Sequence, residues 1–264
     1  MEGTPPYEFV PYKYGAFSFG SYADRRKLVE RELIENDDES WRLTSVGKRV
    51  LDEKLGFSER LPAFDFAKRY SKLRGIDLVA ETYRRFPFYA TQSEIVEEVF
   101  WNDVNALKRV EEAKPRERTR LSTIGYEGLA LESYLNKLLR AGVTLLCDVR
   151  KNAISRKYGF SKRTLSKGCE GVGIRYEHLR ELGIVSKKRK KLETQADYDA
   201  LFEEYDSEVL PNQRHALQKI GSWIESGERV ALTCYEKLPA QCHRTRVAKA
   251  VSRFLGQGAS AKHL

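Results

Sequence analysis

Long apolar runs are absent from this chain of 264 residues. Nothing approaches the roughly 20 apolar residues of a membrane span, which excludes an integral helical membrane protein. Met1 to Pro6 carries neither a basic leader nor an apolar stretch behind it. A secretory signal is therefore not expected, and a cytoplasmic setting is. Cysteine is scarce: Cys147, Cys169, Cys234 and Cys242 are the four, all in the second half. In a chain without a signal these are expected as reduced thiols, not as a disulfide framework. No two of them form a C-x-x-C pair, which argues against a structural zinc site. Internal repeats and low-complexity tracts are missing as well.

What the chain does have is charge. Lys and Arg number 47 against 38 Asp and Glu, a net charge of +9, while 41% of residues are apolar. That apolar share allows real cores, and the length suits two domains. The positive excess favours a polyanionic partner through phosphate neutralisation and counterion release. A solvated basic surface accounts for the sum equally well, so the placement of the charge matters more than its total.

The segment Val110 to Arg120 (VEEAKPRERTR) contains Pro115, is charged and lacks apolar periodicity. It reads as a linker between a domain over 1–114 and a second over 121–264. The first is mainly helical. Tyr22 to Ile34 places Leu28, Leu33 and Ile34 near one helix face, and Asn36 to Glu39 is a turn. Ser40 to Leu43 is a short strand, and Thr44 caps a helix over Ser45 to Leu55. This order resembles part of a winged-helix DNA-binding module. Pro11 to Ser18 resembles the "Y-x-x-G-P-F-S" opening of some bacterial modules of that kind, with Ala16 in place of the proline. Ala63 to Leu73, Ile76 to Arg85 and Gln92 to Val110 continue as helices, the second carrying Arg84 and Arg85. DNA is the expected partner, with a helical interaction or homodimerisation domain as the plain alternative.

The second domain alternates strands and helices. Leu121 to Ile124, a helix from Leu131 to Ala141 and the apolar run Val143 to Val149 make a βαβ unit. A helix over Asn212 to Ser226, a strand over Arg229 to Tyr235 and a helix over Thr245 to Phe254 follow. The fold class is α/β, an open and mainly parallel sheet preceded by the winged-helix-like domain. Open α/β sheets bind ligands beyond the carboxyl ends of their strands. Three polar clusters fall there: Gly125-Tyr126-Glu127-Gly128, Asp148 and Arg150 with the stretch to Lys157, and Cys234-Tyr235-Glu236 with Cys242-His243-Arg244.

Residues 121 to about 254 resemble the bacterial and archaeal family called domain of unknown function 488. The resemblance lies in Thr123-Ile124-Gly125-Tyr126, in Asp148-Val149-Arg150 with Ser155 and Arg156, and in Gly173 to Leu179 with Leu182-Gly183. Leu232, Cys234, Glu236, Cys242, His243 and Arg244 complete it. It implies an α/β domain with a shared polar site and little about chemistry. The N-terminal module is an addition to the minimal family domain.

Asp148 and Glu236 end two predicted strands, so with His243 they are the expected catalytic groups of a metal-free, cofactor-free acid–base site. An Asp148–Arg150 pair that only braces a loop is the plain alternative. Gly125, Tyr126, Arg150, Ser155, Arg156 and Lys157 are expected to hold substrate, the cations gripping phosphate. Tyr158 and Phe160 are placed to stack on a base. Tyr176 and His178 share one face of a strand at the rim of the site, or are simply packed. Cys234, Cys242 and Arg244 belong to the substrate-binding set; Cys242 beside His243 and Arg244 invites a thiol nucleophile, against the tendency of free cysteines to be buried and inert. A metal held by Cys234, Cys242 and His243 is conceivable, but their spacing matches no standard motif. Lys187 to Lys191 (KKRKK) reads as a DNA-backbone contact or a solvated loop. The expected function is a DNA-binding enzyme acting on a base or nucleotide, most plainly a DNA glycosylase working on a flipped nucleotide. A ligand-responsive regulator and a metal-dependent nuclease using Glu127, Asp148 and Glu236 are the alternatives.

Overall fold

A computed structural model of the protein describes residues 6–37, 40–116, 119–189, 192–256 and 261–264. The chain divides into two compact units, Met1–Ala113 and Lys114–Leu264. Parts of the turn at 36–39, the linker at 110–120 and the basic run at 187–191 lie outside the described residues.

The first unit opens with an antiparallel pair, β1 (Val10–Tyr12) and β2 (Gly15–Phe17). The residues of the "Y-x-x-G-x-F-S" stretch each have a physical task. Tyr12 and Phe17 stack at 4.8 Å between centroids. Gly15 has φ 106°, and a Cβ there would meet the Tyr83 ring at 2.6 Å. Ser18 caps α1 (Phe19–Glu30) by accepting from the Ser21 amide. The predicted helix therefore begins earlier and stops four residues short of Ile34. Glu32 turns the chain at φ 56°, and Leu33 to Asn36 leave the helix for β3 (Ile34–Asn36), which pairs with β4 (Trp41–Leu43). Thr44 caps α2 (Ser45–Lys54) through the Gly47 amide. Next come α3 (Phe57–Tyr70) and α4 (Gly75–Arg85). The single helix expected over Gln92 to Val110 is two, α5 (Val96–Val99) and α6 (Val104–Glu112). The break falls where Asp103 accepts from the Ala106 amide and starts a new helix. α6 also runs into the expected linker. Ala80, Tyr83, Ala90, Phe100, Ala106 and Val110 form the core, while Phe57, Phe64 and Phe66 of α3 stay exposed.

The second unit is α/β. Its strands are β5 (Leu121–Gly125), β6 (Leu145–Asp148), β7 (Arg175–His178), β8 (Val230–Cys234) and β9 (Lys262–His263). They form one parallel sheet in the order β7-β6-β8-β5-β9. Its helices are α7 (Leu131–Arg140), α8 (Lys162–Gly171), α9 (Gln195–Glu204), α10 (Arg214–Glu225) and α11 (Arg244–Phe254). The predicted β5-α7-β6 crossover exists, but β8 inserts between its two strands. Side chains alternate across the sheet. Leu145 and Cys147 of β6, with Val230 and Leu232 of β8, face the core built with α9, α10 and α11. The opposite face meets α7, where Tyr134 donates to Thr233 Oγ1 at 2.7 Å and packs edge-on against Phe160. No helix among the described residues is long and apolar enough to cross a membrane.

Candidate functional site

The alternation that builds the two cores also sorts the polar residues at the carboxyl edge. Asp148 pairs with Thr233 in the β6–β8 register, so it shares the α7 face. Cys234 is one residue further on and points to the opposite face. The two predicted catalytic strand ends therefore serve different networks.

On the α7 face Asp148 is fully buried. Its Oδ1 accepts from the Arg150 amide at 3.0 Å and from Arg150 Nε at 2.9 Å. Its Oδ2 takes the Arg150 Nη2 and the Tyr176 hydroxyl, the latter at 2.7 Å. Arg150 Nη1 donates to the Tyr126 hydroxyl at 2.7 Å and to the Phe160 carbonyl at 2.9 Å. His178 Nε2 sits 2.8 Å from the Arg150 carbonyl. Burial pushes the Tyr176 phenol up, and the Asp148 carboxylate pushes it further. This is a brace: the expectation of an available acid at Asp148 and a phosphate grip at Arg150 gives way to a saturated buried pair. Tyr176 and His178 support that pair and do not line the pocket described next. Phe160 is fully buried, stacked on Tyr126 at 4.4 Å with a 9° interplanar angle, and has no face left for a base.

The other face carries a second network. Cys234 Sγ lies 3.1 Å from Glu236 Oε2 and 3.8 Å from His243 Nδ1. His243 Nε2 is held by the Val149 carbonyl at 2.9 Å, so Nε2 carries the proton and Nδ1 turns its lone pair to the cluster. Arg189 donates to Nδ1 at 2.7 Å and pairs with Glu236 Oε1. Cys242 is fully buried beside Cys234. Burial alone would push the Cys234 thiol up, but its contacts with Cys242 and His243 and the nearby Arg189 guanidinium together hold it well below its ordinary range. Cys242 moves the other way, raised by burial and by Cys234. Burial and Cys234 also raise Glu236. Cys234, a strengthened acid, thus faces Glu236, a weakened one, at 3.1 Å. Arg244, buried, donates to the Glu236 and Lys237 carbonyls and fixes the loop after β8. That loop crosses Gly125 so closely that a Cβ there would sit 1.9 Å from the Glu236 carbonyl oxygen.

Above the edge lies a pocket of about 480 Å³, within the range of small-ligand sites. Cys234, His243 and Arg189 reach it from one side, and Tyr126 with Arg150 from the other. Tyr235 adds a second aromatic wall, edge-on to Tyr126 at 5.4 Å. Lys151, Ser155, Arg156 and Lys157 line its rim. Ser155 Oγ accepts from the Lys157 amide at 3.1 Å and shapes that rim. Tyr158, exposed, is not among the lining residues.

Six lining residues, Lys151, Asn152, Ile154, Ile184, Arg189 and Tyr235, were not among the expected site residues, although Lys151 and Tyr235 stood inside two of the expected polar clusters. Arg189 sat inside a basic run, where only its being an arginine among lysines marked it. The run's Lys188 instead pairs with Glu204. No curated protein and no solved structure matches the chain. Residues 130–251, which hold both networks apart from Gly125 and Tyr126, match the model of the family described as Domain of unknown function DUF488.

Proposed function

We propose that this protein is a DNA-directed hydrolase that cleaves the N-glycosidic bond of one nucleotide lodged in the pocket. The observation that carries the reading is the Glu236–Arg189–His243 group beside a pocket of nucleotide-like character, aromatic on its walls and basic at its rim. The exposed ring of Tyr235 would stack on a base, and Lys151, Arg156 and Lys157 would meet its phosphates. Glu236, engaged by Arg189 and Cys234 and standing one contact behind the lining residues, would turn into the pocket to stabilise the cationic sugar as the base departs, with Arg189 and His243 setting its position. Asp148 is left out of the chemistry. One carboxylate suffices for a sugar cation, whereas the two-carboxylate scheme needs both acids at one bond.

The first unit would hold the duplex as a winged-helix-like module. Its helix–hairpin–helix order, α1, β3–β4 and α2, supports that reading. Arg84 and Arg85, which pair with Asp103 and Glu81, do not add to it. The exposed Phe57, Phe64 and Phe66 favour self-association through α3, measurable by light scattering.

The test is incubation with a panel of duplexes carrying deaminated or alkylated bases, with abasic product read after alkaline cleavage. Product from the wild type that falls at least 100-fold in Glu236→Gln is expected. An intact panel overturns the reading.

A further inference from the structure

We infer that Cys234, Cys242 and His243 form a zinc site whose open position faces the pocket. The two sulfurs and the His243 nitrogen all lie within 4.8 Å of one another. In a tetrahedral site with Zn–S near 2.3 Å the ligand-to-ligand edge is about 3.8 Å. Contraction of about an ångström would close the set around an ion.

Four further features fit a metal better than an ordinary core. The first is burial: all three side chains are at most 1% exposed, yet Cys234 and His243 line the pocket. A site closed on the protein side and open on the substrate side is the pattern of catalytic zinc, with three protein ligands and a fourth position for water or substrate. The second is the outer contact of the imidazole. The Val149 carbonyl at 2.9 Å from Nε2 directs the Nδ1 lone pair at the two sulfurs, as outer-shell partners of metal-bound histidines do. The third is company. Cys147 lies in the apolar core with Leu145 and Val149, as an inert thiol should, whereas Cys234 and Cys242 share a polar nest with Glu236 and Arg189. The fourth is charge. Two thiolates neutralise a divalent ion, and Glu236 with Arg189 cancel each other. Arg189, now on Nδ1, already has Glu236 as its other partner and can move wholly onto it. Soft sulfur ligands select zinc over magnesium or calcium.

The motif escapes sequence patterns because one ligand ends β8 and the other two precede α11. The inference goes beyond the glycosidic reading and does not depend on it.

The experiment measures metal in the full chain purified without chelator. About one zinc per chain is expected, with cobalt replacement producing the near-ultraviolet sulfur-to-metal charge-transfer band and the strong visible bands of a tetrahedral thiolate site. Cys234→Ser, Cys242→Ser and His243→Ala should each lose zinc at least tenfold, with Cys147→Ser unchanged. The cobalt spectrum is taken on wild-type protein, so it stands even if a variant fails to fold. A folded wild-type chain without zinc, or a cobalt adduct without the sulfur band, overturns the site. So does retention of zinc by both serine variants. Abasic product from a zinc-free chain would sink this inference and spare the glycosidic one; zinc with no abasic product would do the reverse.

Discussion

Replacing Asp148 by Asn separates a brace from a catalyst. In the folded chain Arg150 is 6% exposed, and Asp148 is its counter-charge. Asn keeps one oxygen for the Arg150 amide and Nε, but its NH2 group faces Arg150 Nη2, donor against donor. The guanidinium is left buried without its partner. Breaking a buried pair from one side costs about 3–5 kcal/mol. With a urea dependence of about 2 kcal/mol per molar, the midpoint falls by roughly 1.5–2.5 M. The assay is urea unfolding followed by fluorescence. Trp223 is the one tryptophan of the second unit, so a Trp41→Phe/Trp101→Phe background isolates it; both replaced rings are exposed. A second arm removes both charges, as Asp148→Leu with Arg150→Met. Because no unpaired charge remains, the double variant should lose less than Asp148→Asn alone. A loss under about 1 kcal/mol for the single variant, of the size seen at surface pairs, would refute the brace. So would a loss in the double variant as large as that of Asp148→Asn. Normal stability with abolished turnover would restore Asp148 to the chemistry.

Gly125→Ala should destabilise by about 1–3 kcal/mol, since its Cβ would meet the Glu236 carbonyl at 1.9 Å; Gly168→Ala, which meets only ordinary contacts in α8, should be neutral or slightly stabilising by thermal melting. Alkaline pH should weaken the second unit. Burial raises Tyr134, Cys147 and Cys169, so the unfolded chain releases these protons first, and stability is lost as pH rises above about 8.5 for the two thiols and above about 10 for Tyr134, by about 1.4 kcal/mol per group per pH unit. Midpoints that hold from pH 8 to 10.5 would contradict this. If Lys151, Arg156 and Lys157 neutralise three phosphates, their replacement by Gln should flatten the log–log salt slope of duplex binding by about 2.7, read by fluorescence anisotropy; an unchanged slope places the contacts elsewhere.

Much of the second unit was legible because its signals are local. The apolar run ending at Asp148, the strand ending at Cys234 and the glycines closing α7 and α10 each announce themselves within a few residues. The strands of the first unit were harder, being three residues long, and β3 was absorbed into a helix that Leu33 and Ile34 extended on paper. Helix boundaries that depend on one side chain, such as the Asp103 cap, vanish into an unbroken apolar rhythm.

The site was half legible, and the missing half is a matter of parity. Residue types at three strand ends are visible in the sequence; which face each end serves depends on the register between strands far apart in the chain. Asp148 aligns with Thr233, not Cys234, and that single step sends the aspartate to α7 and the cysteine to the cluster with His243. A shift of one residue would have brought Asp148 and Glu236 to one crevice as expected. The register instead leaves one carboxylate to stiffen the edge and gives the thiols, the imidazole and Glu236 a common nest. The placement of these polar groups therefore follows from the pairing of β6 with β8, which no local pattern encodes.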